Sequence, residues 1–353
     1  MKIALLCDTH IGARNDSKVY LKHLERFFSE IFFPALEEHN IDTVLHLGDI
    51  FDRRKFINFY TLDSSRRFFF DVLRDRKITM HAILGNHDTY FSTTNAVNSA
   101  DLLLPFYDNI HIYQNEPVEL SFGPTRIIMC PWLTKENFEN SMATMKSSTA
   151  NILCGHFDLQ GFEMMKGVVS DHGISHKELS QFEAVYSGHY HHPSQYDNVR
   201  YLGAQYEMNW SDYGSRRGFY LLDTDTRDLT FIENPNRIHH KLDYDDTDLT
   251  IDEIAKLDTT ILKDCYVKIN VRNRTNPYLY DMFLNRLNDC GAADVKTIED
   301  GVSFGDVSID DMIGEAKDTK DILHSYIDNV ETKLDRSRIK RVIDELYTEA
   351  MSL

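Results

Sequence analysis

Apolar positions in the first part of the chain come in two rhythms. Lys2-Ile3-Ala4-Leu5-Leu6-Cys7, Thr43–Leu47 and Thr79–Leu84 are short apolar runs of strand length. Between them, residues 17–39 place Val19, Leu21, Leu24, Phe27, Phe28, Ile31 and Phe32 at helical spacing, and residues 60–77 predict a second helix. Strands that alternate with helices of this length predict parallel pairing through crossover connections.

After residue 110 the pattern becomes strand-rich. Ile110–Tyr113, Val118–Phe122 and Arg126–Cys130 are short runs between turn residues, and Asn151–Cys154 and Ala184–Tyr186 are two further apolar strands. Arg217–Asp223 and Leu229–Glu233 predict a hairpin around Asp225-Thr226. The whole predicts two stacked sheets with flanking helices. Residues 236–250 look like a linker. Beyond it, a short helix, a strand over Cys265–Val271, a helix over Pro277–Asp289 and a further strand predict a small α+β module. Residues 308–327 and 335–351 predict two amphipathic helices, the second with Ile339, Val342, Ile343, Leu346, Tyr347 and Ala350 on one face.

The 353 residues exceed the usual size of one domain. A hydrophobic fraction of 42% is enough for a core, so global disorder is excluded. No stretch reaches the ~20 apolar residues of a membrane helix, and the N-terminal run does not have the parts of a signal peptide. Five scattered cysteines without a CxxC predict free thiols in a reducing compartment, hence the cytoplasm. The net charge of −18 argues against coating nucleic acid or membrane with the whole surface. That charge is uneven, at −8 in residues 1–240 and −10 in residues 241–353. Residues 53–77 run the other way, at +5.

Five strands end in residues of metal-ligand type. They are followed by Asp8-Thr9-His10, Gly48-Asp49-Ile50-Phe51-Asp52, Gly85-Asn86-His87-Asp88, Gly155-His156 and Gly188-His189-Tyr190-His191. Ligands gather at the carboxyl ends of strands in such sheets, and glycine lets the backbone come close to a bound group. Each pair alone is weak, being more often a turn than a ligand. The set of five, each after an apolar strand, is specific. Oxygen and nitrogen donors without thiolate suit Mn²⁺, Fe²⁺ or Zn²⁺ better than Ca²⁺.

The order Asp-x-His, Gly-Asp, Gly-Asn-His-Asp, Gly-His, Gly-His-x-His resembles the calcineurin-like metallophosphoesterases, and Gly48–Lys55 resembles the SbcD-type double-strand-break repair nucleases within them. The resemblance covers nearly the whole chain and is strongest in residues 1–235. It implies a four-layer αββα sandwich over residues 1–238, a small α+β capping domain over 239–302 and a helical docking segment over 303–353. It implies two Mn²⁺ per chain, with Mg²⁺, Fe²⁺ or Zn²⁺ as alternatives. Asp8, His10 and His191 would hold one ion, Asn86, His156 and His189 the other, and Asp49 would bridge them. His87 would act on the scissile phosphodiester, with Asp88 either orienting it or capping the loop. Some relatives carry a second catalytic histidine where Asp52 stands, which leaves the balance of exo- and endonuclease action open.

Arg53, Arg54 and Lys55 adjoin this loop and are expected to meet phosphates. Tyr190, Tyr206, Trp210 and Tyr213 are expected either to pack in the core or to stack on bases. The expected function is a metal-dependent DNA nuclease of a recombination and repair complex. The resemblance implies DNA and an SbcC-type coiled-coil ATPase as partners, the latter held by the C-terminal helices, whose periodicity alone would equally fit packing on their own catalytic domain. The resemblance also implies a homodimer within a heterotetramer, with residues 17–39 and 60–77 as its contact. If the gene is a phage's, the compartment is the bacterial host's cytoplasm. A small-molecule phosphatase or cyclic-nucleotide phosphodiesterase is the alternative; it would share the metal core and ignore DNA. A scaffold that binds without cutting would have no need of the full ligand set.

Overall fold

Seven strands open the chain: β1 (Lys2–Leu6), β2 (Thr43–Leu47), β3 (Thr79–Ile83), β4 (Ile110–Tyr113), β5 (Val118–Phe122), β6 (Thr125–Cys130) and β7 (Ile152–His156). Alternate residues of these strands enter different cores. Ile3 and Leu5 of β1 face the second sheet, whereas Ala4 and Leu6 face helices. In β6, Ile127 and Met129 face the first sheet while Ile128 and Cys130 face outward, against the helix Phe138–Ser147. Strands buried on both faces need apolar residues at every position, which is why the runs are so nearly continuous. The structure is a computed structural model and describes residues 1–165, 168–299, 327 and 335–352.

Two six-stranded mixed sheets result. One runs Leu229–Glu233, Gly218–Asp223, β1, β2, β3, β4, and the other runs Ser194–Tyr196, Val199–Tyr201, Ala184–Gly188, β7, β6, β5. Strands β1 to β4 are parallel, and so are β6, β7 and Ala184–Gly188. With helices on the outer faces, this is the mixed α/β sandwich expected from the sequence.

The first helical stretch runs from Lys18 to Glu38 and contains a π-helical turn over Phe27–Phe32, where the Phe33 N–H reaches back to Phe28 O. The wider turn brings residues five apart to one side, so Phe27, Phe28, Phe32 and Phe33 are all buried. A second π turn over Arg66–Phe70 does the same for Phe68, Phe69 and Phe70. The two turns meet where Phe28 stacks on Phe69 at 4.1 Å. The broad apolar side of residues 17–39, which core packing alone could explain, is used largely in the chain's own core.

Residues 239–245 correct the sequence reading. They are not a linker but a strand, His239–Asp245, paired in parallel with Tyr266–Asn273, which in turn pairs with Asp294–Glu299. The helix Pro277–Asp289 starts at Asn276, whose side chain accepts the Tyr278 and Leu279 N–H groups. Its Leu279, Phe283 and Leu287 form the core of this module with Tyr244, Val267 and Ile269. Glu207 ties the module to the sandwich by accepting the Ile238 and His239 N–H groups at 3.0 and 2.9 Å.

The expected helix over 308–327 lies outside the described residues apart from Ile327. The helix Arg336–Ser352 stands where residues 335–351 predict it, and its Val342 and Leu346 are exposed. Among the described residues, no helix is long and apolar enough to cross a membrane.

Candidate metal centre

The five polar strand ends converge. The Asp8 N–H donates to Gly48 O and the His10 N–H to Asp49 O, which joins the loops after β1 and β2. The His87 N–H donates to Asp49 Oδ1 at 2.8 Å and adds the loop after β3. The His189 N–H donates to Asp8 Oδ1 at 2.9 Å and adds the strand from the other sheet. Gly188 and His156 lie opposite each other in the parallel pair, so both histidine-bearing strands end at the same level.

The chain reaches this arrangement through strained backbone. Asp8, His10, Asp49 and His189 all have positive φ, between 43° and 92°. Each such residue costs roughly 1–3 kcal/mol, which the surrounding sheets must offset. Glycine is needed where loops touch. A β-carbon on Gly48, at φ 90°, would lie 2.6 Å from His156 Nδ1.

Three clusters of donor atoms lie within 4.8 Å: Asp8, His10 and His191; His10, Asp49 and His87; and Asp49, His156 and His189. Asn86 Oδ1 lies 3.1 Å from His156 Nε2 and 2.9 Å from His189 Nδ1. All seven expected ligands thus meet in one place.

Outer hydrogen bonds aim the rings. His156 Nδ1 donates to Leu47 O at 2.7 Å, and His10 Nδ1 to Asp52 Oδ1 at 3.1 Å. In the neutral rings, each Nε2 then presents a lone pair inward. His10 Nε2 and His191 Nε2 stand 2.9 Å apart, and Asp8 Oδ2 is buried with no hydrogen-bond partner. Converging lone pairs and an orphaned carboxylate oxygen suit a cation, so the residues fit a divalent metal.

A proton competes with a cation for these lone pairs. Burial works against ionising Asp49, but the charges of His156 and His87 and the His156 hydrogen bond hold its carboxyl well below the usual range. Burial works against protonating His156, and Asp49 overcomes it and raises the ring to about 9.

Of the two roles expected of Asp88, its hydrogen bonds match the loop cap. His87 Nδ1 donates to the main-chain oxygen of Asp52 at 2.6 Å. Asp88 points away, into the protein, and accepts the N–H groups of Gly85, Phe51 and Ile50 and the Ser99 hydroxyl. Burial and the Asp49 charge push its carboxyl up to about 6. Asp88 is a tie between loops, and the residue that orients histidines is Asp52.

Arg53, Arg54 and Lys55 reach a cleft beside the centre. Arg53 pairs with Asp16 at 3.2 Å and lies over the Phe56 ring. Arg54 is half-buried near Asp49; burial lowers its pKa and the Asp49 charge opposes this. Of the aromatic residues, Tyr190 and Tyr206 are buried: Tyr190 stacks on Tyr201 and donates to Asp158 Oδ1 at 2.6 Å, and Tyr206 donates to Thr9 O. Tyr213 is exposed.

Sequence reasoning missed Asp52 as a holder of His10, and Trp132, whose ring lies 5.2 Å from His189 and 5.8 Å from His156. It also missed Arg217, buried in an ion pair with Asp212 while donating to His191 O. Arg217 carried one signal, a charged residue directly before the apolar strand Gly218–Asp223.

Two stacked mixed sheets with Asp, Asn and His donors at their strand ends define a metal-dependent phosphoesterase. The chain belongs to the calcineurin-like phosphoesterase family, whose model matches residues 1–209. Over 244 residues it is 33% identical to exonuclease subunit 1 of Enterobacteria phage T4, an alignment that takes in 69% of this chain and 71% of the phage protein. Among solved structures, an archaeal phosphodiesterase is 14% identical and covers 66% of this chain and 100% of its own, with a TM-score of 0.34.

Proposed function

We propose that the chain is a metal-dependent DNA nuclease, the hydrolytic subunit of a recombination and double-strand-break repair complex. The observation that carries this reading is the convergence of seven oxygen and nitrogen donors in a chain alignable with an exonuclease subunit over two thirds of its length. We assign Asp8, His10 and His191 to one Mn²⁺, Asn86, His156 and His189 to a second, and Asp49 to both. Such ions, when bound, neutralise phosphodiester charge and lower the pKa of water.

The protein's own groups do the rest. His87 keeps its Nδ1 proton on Asp52 O and presents Nε2 to the scissile phosphodiester, to stabilise the transition state or assist the leaving oxygen, with burial holding its pKa below the ordinary value. Arg54, half-buried with its charge near the centre, holds a phosphate of the strand.

Residues 1–238 then form the nuclease domain, 239–302 a capping domain and 303–353 the segment that docks on an SbcC-type coiled-coil ATPase. The exposed Val342 and Leu346 on Arg336–Ser352 support a helix-in-groove contact. Exposed Phe59, Tyr60 and Phe106 supply apolar surface for a homodimer within a heterotetramer. The free cysteines fit the cytoplasm, a bacterial host's for a phage protein.

The test is a nuclease assay on DNA with defined ends, across Mn²⁺, Mg²⁺, Fe²⁺ and Zn²⁺, with and without the ATPase partner. Cleavage that chelation and Asp49→Ala abolish is expected. DNA left intact under all conditions, with small phosphoesters hydrolysed, would make the protein a phosphatase instead.

A further inference from the structure

The loop after His87 carries two aromatic rings that hydrolysis does not require. Tyr90 and Phe91 are 44% and 47% exposed and meet edge to face at 4.7 Å. Their loop is fixed: the Tyr90 N–H donates to Val97 O at 2.9 Å, and Thr89 bridges to Asn98. Phe91 therefore packs against a Tyr90 ring whose main chain is held in place.

Tyr90 lines a cleft of about 150 Å³ together with Val97 and Leu102 from its own segment and Arg53, Arg54 and Phe56 from the segment after Asp52. Sites for whole drug-sized ligands measure roughly 300–1,000 Å³, so this one suits a single flat ring. Both segments hang on Asp88, which accepts the Phe51 N–H on one and the Ser99 hydroxyl on the other. Asp88 adjoins His87, so cleft and metal centre are held in one register.

The lining selects the occupant. Aromatic rings and guanidinium planes stack on any base whatever its identity, and Arg54 and Lys55 favour a phosphate backbone, Arg53 being paired with Asp16. An aliphatic partner helix would complement the apolar residues but not these two cations. We infer that the cleft seats an unpaired nucleobase of the strand whose phosphodiester lies at the metal centre, with Tyr90 as the stacking platform. The inference rests on the nuclease reading. It makes Tyr90 a specificity-determining residue that favours frayed or single-stranded ends.

The test compares wild type and Tyr90→Ala, with Mn²⁺, on a single-stranded oligonucleotide and on the same strand with abasic terminal nucleotides. The variant is expected to raise KM on the intact strand about five- to hundredfold, the range of one base–aromatic stack. On the abasic strand the two proteins should coincide. The circular-dichroism spectrum and bound metal should be unchanged and show that the variant is folded, while bis(p-nitrophenyl) phosphate, whose rings can themselves stack, serves only to show that the wild-type centre is active. Equal KM on the intact strand, or equal loss on both strands, overturns the inference. So does a change in sedimenting mass without base dependence, which would make the patch a contact between copies of this chain. If wild type cleaves the small ester but no DNA, the nuclease reading has failed first, and the cleft's role falls with it.

Discussion

Gly85 and Asp49 touch so closely that no side chain fits between them: a β-carbon on Gly85 would stand 2.1 Å from Asp49 Oδ1 and 2.4 Å from Asp49 N. Gly85→Ala must therefore displace the carboxylate at the middle of the centre. A shift of about 1 Å can cost ~100-fold in rate, and a loss of at least that order in phosphodiesterase activity is expected. Elemental analysis of the purified variant should show less bound metal at an unchanged circular-dichroism spectrum. Full metal content with full activity would show that the loop yields freely.

Asp52 serves two histidines with different atoms, His10 through its carboxylate and His87 through its main-chain oxygen. Asp52→Ala removes only the first. Loss of such outer partners typically costs ~10–100-fold in metal affinity or activity. Metal affinity should fall in this range, measured by competition with a chelating dye. In His87→Asn, by contrast, metal content should hold while turnover falls. Equal metal loss in the two variants would overturn the division of roles.

Trp132 is one of two tryptophans, with Trp210, and its ring packs on two of the assigned ligands. Paramagnetic Mn²⁺ at those ligands should quench its fluorescence, whereas Mg²⁺ should not. Trp132→Phe should abolish the Mn²⁺-dependent change. Quenching that survives in this variant would place the ion elsewhere.

His81 gives a pH signature away from the centre. Burial, and then the His111 charge stacked against it, lower its pKa to about 4, below the ~6.5 of an unfolded chain. Between these values the unfolded state binds a proton that the folded state refuses, so stability is full above pH ~6.5 and is lost as pH falls toward 4. The urea midpoint should drop between pH 7 and pH 5, and drop less in His81→Gln. Identical slopes in both proteins would assign the acid sensitivity to other groups.

The sheets were legible because both faces of their strands are buried, leaving apolar runs with few alternatives. His239–Asp245 was not, because only Leu242 and Tyr244 of its residues join the module's core and its other positions are polar. The converging donors were legible because each follows a strand and the five signals reinforce one another. Of the two roles expected of Asp88 its hydrogen bonds match the loop cap, because its carboxylate turns to three main-chain N–H groups. Asp52, Trp132 and Arg217 act on histidines remote in sequence: the first two pairings exist only once neighbouring strands of one sheet are paired, and that of Arg217 with His191 only once the two sheets face each other.

The register of His156 with Gly188, and the bond from His189 to Asp8 across 181 residues, set an order of events in synthesis. A chain emerging from the ribosome displays Asp8, Asp49 and Asn86 long before His189 and His191 exist. Until the Ala184–Gly188 strand docks, only part of the donor set is assembled. Completing the donor set is therefore a late step that reports a finished sandwich, and fragments ending before residue 188 should hold less metal than the full chain.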